Sequence, residues 1–247
     1  VLLVIKILIK KLKIPTRMAY LISIGSTVCG TTAIMATAPV IKASKNEISY
    51  AIANITLFGI LSMLIYPYFA NFYFDGDSLF VGLFLGTSIH ETSQVAAAGL
   101  IYDQQFNSPD ALNIATVTKL IRNTFLIIMI PLFAFLYNRG KTKEGSYSIL
   151  NIFPYFVLGF VVMIIFRNIG DQVFIIDNKD KWIETIDFIR SSSKVFLTMA
   201  MAAIGLSTNL KDIKNMGPKP FIVGFIAMLT VGIVCILTIE IYLKIFI

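Results

Sequence analysis

The sequence predicts an all-α membrane protein, a polytopic helical bundle containing discontinuous or re-entrant helices related as an inverted repeat. Three observations predict it. Of the 247 residues, 57% are hydrophobic and only 14% charged, with a mean hydropathy of +0.80, whereas soluble domains carry about 25% charged residues. Apolar runs long enough to enter or cross a bilayer alternate with short segments rich in Lys and Arg, the positive-inside pattern of cytoplasmic loops. Two of the runs are interrupted by polar and ionisable residues, and irregular backbone at membrane depth persists only where protein buries it or where it lines a watery cavity.

The same observations exclude other classes. The Lys and Arg behind the net charge of +7 cluster in short segments between apolar runs, so no nucleic-acid partner is expected. The two cysteines, Cys29 and Cys235, both fall in apolar runs, and no disulfide scaffold is indicated. The single histidine excludes a His-Glu-x-x-His zinc site. There is no Gly-x-Ser-x-Gly elbow, and Ser88 and His90 at a helix start point in different directions, which argues against a hydrolase. No enzyme activity, cofactor or metal is therefore expected.

In chain order, Val1 to Ile9 reads as the end of a membrane helix. The chain opens at Val1 inside an apolar run, and the expectation is a single transmembrane domain over 1–247 lacking N-terminal helices. Lys10, Lys11, Lys13 and Arg17 form a basic patch placed in the cytoplasm. The expected membrane segments are 18–41, 48–70, 78–102, 111–137, 147–166, 194–210 and 221–243. The first contains Gly25 to Ala33 and Pro39 and reads as broken. The second carries Tyr66 and Tyr68 near an interface. The loop with Asp75 and Asp77 holds no basic residue and suits the outside. Ser108-Pro109 supplies an N-cap and first helical position for the fourth segment. Arg139, Lys141 and Lys143 mark a cytoplasmic loop. The charged stretch 167–193, with the lone Trp182, reads as a loop plus an interfacial helix. Lys211, Lys214 and Lys219 precede the last segment.

The third segment holds the most chemistry: Gly86-Thr-Ser-Ile-His-Glu-Thr-Ser-Gln-Val-Ala-Ala-Ala-Gly99. Ser88 and Glu91 have capping-box spacing, which predicts a helix starting near Ile89 with its free amides and positive dipole end inside the membrane. Helical spacing then puts His90, Ser93, Gln94 and Ala97 on one face, with Glu91, Val95 and Ala98 on a neighbouring one.

The first and third segments align without gaps at an offset of 61, matching Gly25 to Gly86, Ser26 to Thr87, Thr27 to Ser88, Val28 to Ile89, Thr31 to Thr92, Thr32 to Ser93 and Ala36 to Ala97. If the first enters and leaves from the cytoplasm and the third from outside, every strongly basic loop becomes cytoplasmic. That is an inverted pair of broken elements meeting near the midplane, the arrangement on which secondary transporters build their sites. Unwound helices that span remain the alternative.

Ionisable residues at membrane depth are functional candidates. Glu91 and His90 are candidates for proton coupling, with capping and helix packing as their structural alternatives. Ser26, Thr27, Thr87 and Ser88 are candidate substrate ligands at exposed helix ends, or caps that let helices pack closely. Ser93 lies on the polar face with His90. Gln94 binds substrate or bonds between helices. Lys119 and Arg122, spaced i, i+3, neutralise an anion or snorkel outward. Cys29 reads as a small buried hydrophobe, while Ser207, Thr208 and Asn209 are either site residues or caps.

Three motifs in order, Ile24-Gly-Ser-Thr-Val-Cys-Gly-Thr-Thr-Ala-Ile-Met-Ala-Thr-Ala-Pro-Val-Ile41, Gly86 to Gly99 as quoted above, and Met199-Ala-Met-Ala-Ala-Ile-Gly-Leu-Ser-Thr208, resemble the YeiH family of sulfate exporters, and the resemblance covers essentially the whole chain. It implies an inverted-repeat carrier of the inner (plasma) membrane, multi-pass, with members longer at the N-terminus. The expected activity is secondary active transport of a small anion, export of sulfate or a sulfonate, coupled to protons. A cation/proton antiporter, in which Glu91 binds a cation such as sodium, and a non-transporting receptor or scaffold are the alternatives. Membrane lipid is the surrounding partner, and a homo-oligomer is compatible with the pattern.

Overall fold

The computed structural model describes residues 14–126, 128–130, 132–133, 155–174, 179–207 and 218–246, with Val4 and Ile7 as isolated positions before them. All elements among the described residues are helices: α1 (Thr16–Thr27), α2 (Thr31–Thr37), α3 (Lys45–Tyr73), α4 (Ser78–Ser88), α5 (Thr92–Phe106), α6 (Pro109–Thr124), α7 (Tyr155–Val173), α8 (Lys179–Ser207) and α9 (Lys219–Phe246). The chain divides into one unit of residues 1–152 with 210–247 and a second of residues 153–209.

In the first unit, α3 begins with a complete capping box. Ser44 accepts from the Glu47 amide, and the Glu47 carboxylate accepts from the Ser44 amide at 2.8 Å. The helix then runs 29 residues through Pro67. It and α9 are long and apolar enough to cross a membrane. The two are laced by polar contacts that climb together along both chains. Asn54 Nδ2 donates to the Pro220 carbonyl at 2.9 Å, Tyr66 Oη to the Met228 carbonyl at 3.4 Å, and Tyr73 Oη to Glu240 Oε1. They therefore run parallel, with Lys45 and Lys219 at the same end.

Helix α4 starts on Asp77, whose Oδ1 accepts from the Leu79 and Phe80 amides. It packs along α6 in the same direction. A Cβ on Gly82 would meet Ile114 and the Ala111 carbonyl, and one on Gly86 would sit 2.5 Å from the Ala115 carbonyl, so α4 approaches α6 closely through its glycines. Helix α5 runs the other way along α6, with Gly99 against Leu112 at one end and Thr92 bonded to Asn123 at the other. Ser78 Oγ and Ser108 Oγ lie 2.7 Å apart, and Tyr102 Oη donates to Asn71 Oδ1 at 3.0 Å. The start of α4 and the end of α5 thus share one level, beside the end of α3. Phe58, Tyr66, Phe84, Leu85, Ile89, Val95 and Tyr102 are buried together between these helices and α9.

Several expectations are corrected. The helix after the third-segment break starts at Thr92, not Ile89. Ser88 closes α4 by donating to the Phe84 carbonyl at 2.6 Å, so it caps nothing. The fourth segment turns at Phe125, whose amide bonds back to Arg122 and Asn123, before helix resumes at 126, 128–130 and 132–133. Residues 134–154 of the fourth and fifth segments lie outside the described residues, as do Thr208 and Asn209.

In the second unit, the described part of the expected loop and interfacial helix is mostly helical, and residues 175–178 lie outside the described residues. Helix α7 continues to Val173, and the charged stretch from Lys179 joins the sixth segment as a single 29-residue helix, α8. No Gly or Pro interrupts residues 179–204, so charge alone does not end the helix. Trp182 packs against Gly170 and stacks on Phe174, and its Nε1 donates to Asp171 Oδ1 at 2.7 Å. Arg167 Nε bridges the same carboxylate at 2.8 Å. These two donors hold the Asp171 carboxyl below its ordinary value. A depressed carboxyl stabilises the folded state above the unfolded pKa and loses that contribution as pH falls through its own lowered value. Emission from the lone tryptophan is expected to shift red on acidification below the usual carboxylate range. Asp171→Asn is expected to show a shifted emission already at pH 7 and no further acid transition; a fluorescence titration of both proteins checks this.

Candidate functional site

The site is built where α1 gives way to α2 and α4 to α5. Residues 28–30 and 89–91 lie between the paired helices, so the last carbonyls of α1 and α4 and the first amides of α2 and α5 have no helical partners. Gly30 permits the first turn, with φ +63° and ψ −122°, a combination open only to a residue without Cβ. Its Cβ position is also filled: a methyl there would stand 2.5 Å from Glu91 Cγ.

Glu91 is 4% exposed. Its Oε1 accepts from the Thr31 hydroxyl and, at 3.3 Å, from the Thr31 amide. The carboxylate therefore covers the start of α2, sixty residues away in sequence, instead of reaching back to Ser88. Its other oxygen, Oε2, has no hydrogen-bond partner among the described residues.

Helix α6 carries the cations into the same place. Lys119 is 0% exposed, and its Nζ donates to the carbonyls of Val28 (2.8 Å), Ile89 (2.9 Å) and His90 (2.6 Å). Arg122, one turn on, donates from Nε to Thr27 (2.9 Å), from Nη1 to Thr87 (2.6 Å) and Ile89 (3.1 Å), and from Nη2 to Ser26 (2.7 Å). The carbonyls come in pairs related by the sequence offset of 61: Ser26 with Thr87 on Arg122, Val28 with Ile89 on Lys119. Gly30 and Glu91, in contact, stand at the same offset. Cations at helix C-termini and a carboxylate at a helix N-terminus are the favourable pairings with the helix dipole.

The other predicted residues are placed as follows. Ser26, Thr27, Thr87 and Ser88 all donate to carbonyls one turn back in their own helices, at 2.8, 2.6, 2.6 and 2.6 Å. They close α1 and α4 and do not cap the helices that follow. Lys119 and Arg122 do not snorkel; they hold backbone. His90 is 0% exposed, and both ring nitrogens lack a hydrogen-bond partner among the described residues, although the Ser26 backbone lies beside the ring. Gln94 Nε2 donates to the Thr56 carbonyl at 3.2 Å, leaving Oε1 unpartnered. The N-cap residue of α5 makes no side-chain cap bond, so the amides of Thr92, Ser93 and Gln94 are first-turn donors without a helical partner among the described residues. Cys29 is buried. Sequence reading missed Thr31 as the partner of Glu91 and Asn123, whose Nδ2 donates to Thr92 Oγ1 at 3.2 Å. The match of Thr31 to Thr92 in the repeat was the one available signal.

Residues 1–224 match the family described as Conserved hypothetical protein 698. The chain is similar to the UPF0324 membrane protein of Fusobacterium nucleatum, 37% identical over 237 residues that cover 93% of this chain and 68% of the relative. The corresponding protein of Streptococcus agalactiae is 37% identical over 229 residues, covering 92% and 66%. That of Clostridium tetani is 35% identical over 243 residues, also covering 92% and 66%. The chain spans about two thirds of the length of these relatives. No solved structure matches it. With only helices among the described residues, two of them of spanning length, and this similarity along nearly its whole length, the chain is a membrane protein and belongs to the Conserved hypothetical protein 698 family, the UPF0324 or YeiH membrane proteins.

Proposed function

We propose that the chain forms the core of a secondary active transporter that moves a small anion, sulfate or a sulfonate, outward across the inner membrane with proton coupling. The observation that carries this reading is the meeting of two helix breaks, at positions related by the offset of 61, around a buried Glu91, His90 and Lys119 and a half-buried Arg122. In this reading α1–α2 and α4–α5 are hairpins entering from opposite faces, and α3 and α6 are the spanning helices that follow each. The Ser78–Ser108 contact supports the second hairpin. For the first, the Gly30 amide bonds back to the Gly25 carbonyl at 3.0 Å, and Gly25 lies against Ile34. The parallel course of α3 and α9 supports a cytoplasmic side shared by Lys45 and Lys219.

The chemistry follows from what each charge already holds. Lys119 and Arg122 neutralise the carbonyl ends and fix the crossing. The free amides of α5, with Ser93, Gln94 and His90 beside them, are left to receive the anion. An ionised Glu91 repels an anion a few ångströms away, by about 4 kcal/mol at 4 Å and an effective dielectric of 20. Proton uptake removes that repulsion and gives Oε2 a hydrogen to donate. Anion binding and protonation are thereby linked.

The test is sulfate flux into proteoliposomes of the full-length protein between pH 5 and 9. Glu91→Gln retains an acceptor for Thr31 and is expected to keep the fold while losing the pH dependence of flux. Flux unchanged at every pH in both Glu91→Gln and His90→Ala overturns the reading. One observation favours the cation/proton antiporter alternative: the unpartnered Glu91 Oε2 and Gln94 Oε1 are both acceptors. Sodium-dependent flux without anion dependence identifies it.

A further inference from the structure

The two helix starts at the crossing are related by the offset of 61, yet they are not occupied alike. At the start of α2, the Thr31 hydroxyl and, at 3.3 Å, the Thr31 amide both donate to Glu91 Oε1, so the chain supplies its own anion there. Thr92 stands at the matching place in α5. The residue that matches Glu91 is Gly30, which has no side chain, so no carboxylate is returned to Thr92. Thr92 Oγ1 instead accepts from Asn123 Nδ2 at 3.2 Å. A hydroxyl that accepts from an amide keeps its own hydrogen to give. Thr92 therefore offers the same pair of donors that holds a carboxylate oxygen at Thr31, with no acceptor on them among the described residues.

Two further groups at this end are unpaired. Asn123 lies one turn beyond Lys119, which itself reaches the His90 carbonyl, so its carboxamide enters from the cationic side of α6. Its Oδ1 is buried without a hydrogen-bond partner among the described residues. So are both ring nitrogens of His90, two residues before α5 and 0% exposed. Buried polar atoms are almost always hydrogen-bonded, and a bound polar group accounts for this cluster.

We infer that the transported anion takes on α5 the place that Glu91 takes on α2: one of its oxygens accepts from the Thr92 amide and hydroxyl, and Asn123 is a positioning residue that turns the hydroxyl hydrogen toward it. The inference rests on the anion-transport reading and assigns it a binding residue and a positioning residue. The pair recognises one oxyanion oxygen and does not rank sulfate against a sulfonate.

The test is the concentration dependence of sulfate flux into proteoliposomes of the full-length protein at fixed pH, which separates KM from kcat. Thr92→Val is expected to raise the sulfate KM about tenfold or more, the cost of one hydrogen bond to a charged group, with kcat little changed. Thr92→Ser, which keeps the hydroxyl, is expected to restore the original KM. Asn123→Asp has nearly the same volume, but its carboxylate takes the Thr92 hydrogen and repels the anion, so its KM is expected to rise at least as far. A contact that only ties α5 to α6 gives a different pattern, in which Thr92→Val lowers stability and kcat at constant KM and Asn123→Asp, still bonded to the hydroxyl, behaves as the original chain. That pattern overturns the inference and retains the transporter. If Thr92→Val does not fold, the KM of Asn123→Asp decides alone. Absence of sulfate flux in the unsubstituted protein overturns both readings.

Discussion

Replacing Lys119 with methionine is expected to be among the most destabilising single changes in the chain, by about 3–5 kcal/mol, the range for removing one partner from a buried charged arrangement. Methionine fills much of the same volume, so the loss is electrostatic. The carbonyls of Val28 and His90 lose their donor at once and that of Ile89 keeps only Arg122, and each orphaned buried acceptor costs about 1–3 kcal/mol before relaxation. The negative ends of α1 and α4 then face each other with only Arg122 between them. Lys119→Arg is not expected to restore stability. A planar fork already occupies the next turn at Arg122, and three carbonyls converging on one compact ammonium suit lysine. Thermal unfolding in detergent, followed by the loss of monodisperse protein, measures both variants. A Lys119→Met protein with an unchanged midpoint would mean that the two helix ends do not depend on this cation.

Gly30→Ala is expected to have the next largest effect. The φ of +63° alone costs a residue with a Cβ about 1–2 kcal/mol, and the ψ of −122° lies outside the left-handed helical region that Asn or Asp tolerates. The added methyl must also displace Glu91 from Thr31, because it would stand 2.5 Å from the Glu91 Cγ. About 3 kcal/mol in total follows, together with an altered pH dependence of flux, since the displaced group is the proposed proton carrier. Gly159→Ala serves as the control. A Cβ there meets nothing within 4 Å, and alanine in a helix gains up to about 1 kcal/mol over glycine. Equal midpoints for the two alanine variants would contradict the tight contact at Gly30.

Much of this organisation was legible in the sequence, and the exceptions share a cause. The break in the third segment is visible because Gly86, His90 and Glu91 interrupt an apolar run. The i, i+3 spacing of Lys119 and Arg122 correctly puts both on one face of α6. Their partners are not visible, because backbone carbonyls carry no residue-type signal. Capping shows the same limit. Ser44 and Glu47 have the same spacing as Ser88 and Glu91, yet only the first pair forms a box. Ser44 follows an irregular loop and is free to start a helix. Ser88 is still inside α4, and Thr31 claims the Glu91 carboxylate from sixty residues away. Charge suggests a boundary ahead of Lys194 in the sequence, yet residues 179–204 contain neither Gly nor Pro and α8 runs straight through it.

The proposed transporter requires α4 and α5 to enter and leave the membrane on one side, with their connection meeting that of α1 and α2. The Ser78–Ser108 contact tests this most directly, since the two hydroxyl oxygens lie 2.7 Å apart at the start of α4 and just beyond the end of α5. Ser78→Cys with Ser108→Cys, in a Cys29→Ala, Cys235→Ala background and in native membranes, is expected to form a disulfide on mild oxidation. Each cysteine alone is expected to react with an impermeant thiol reagent from the same side. Failure to cross-link, with the two positions labelled from opposite sides, would make this segment a spanning helix and contradict the meeting of two opposed hairpins.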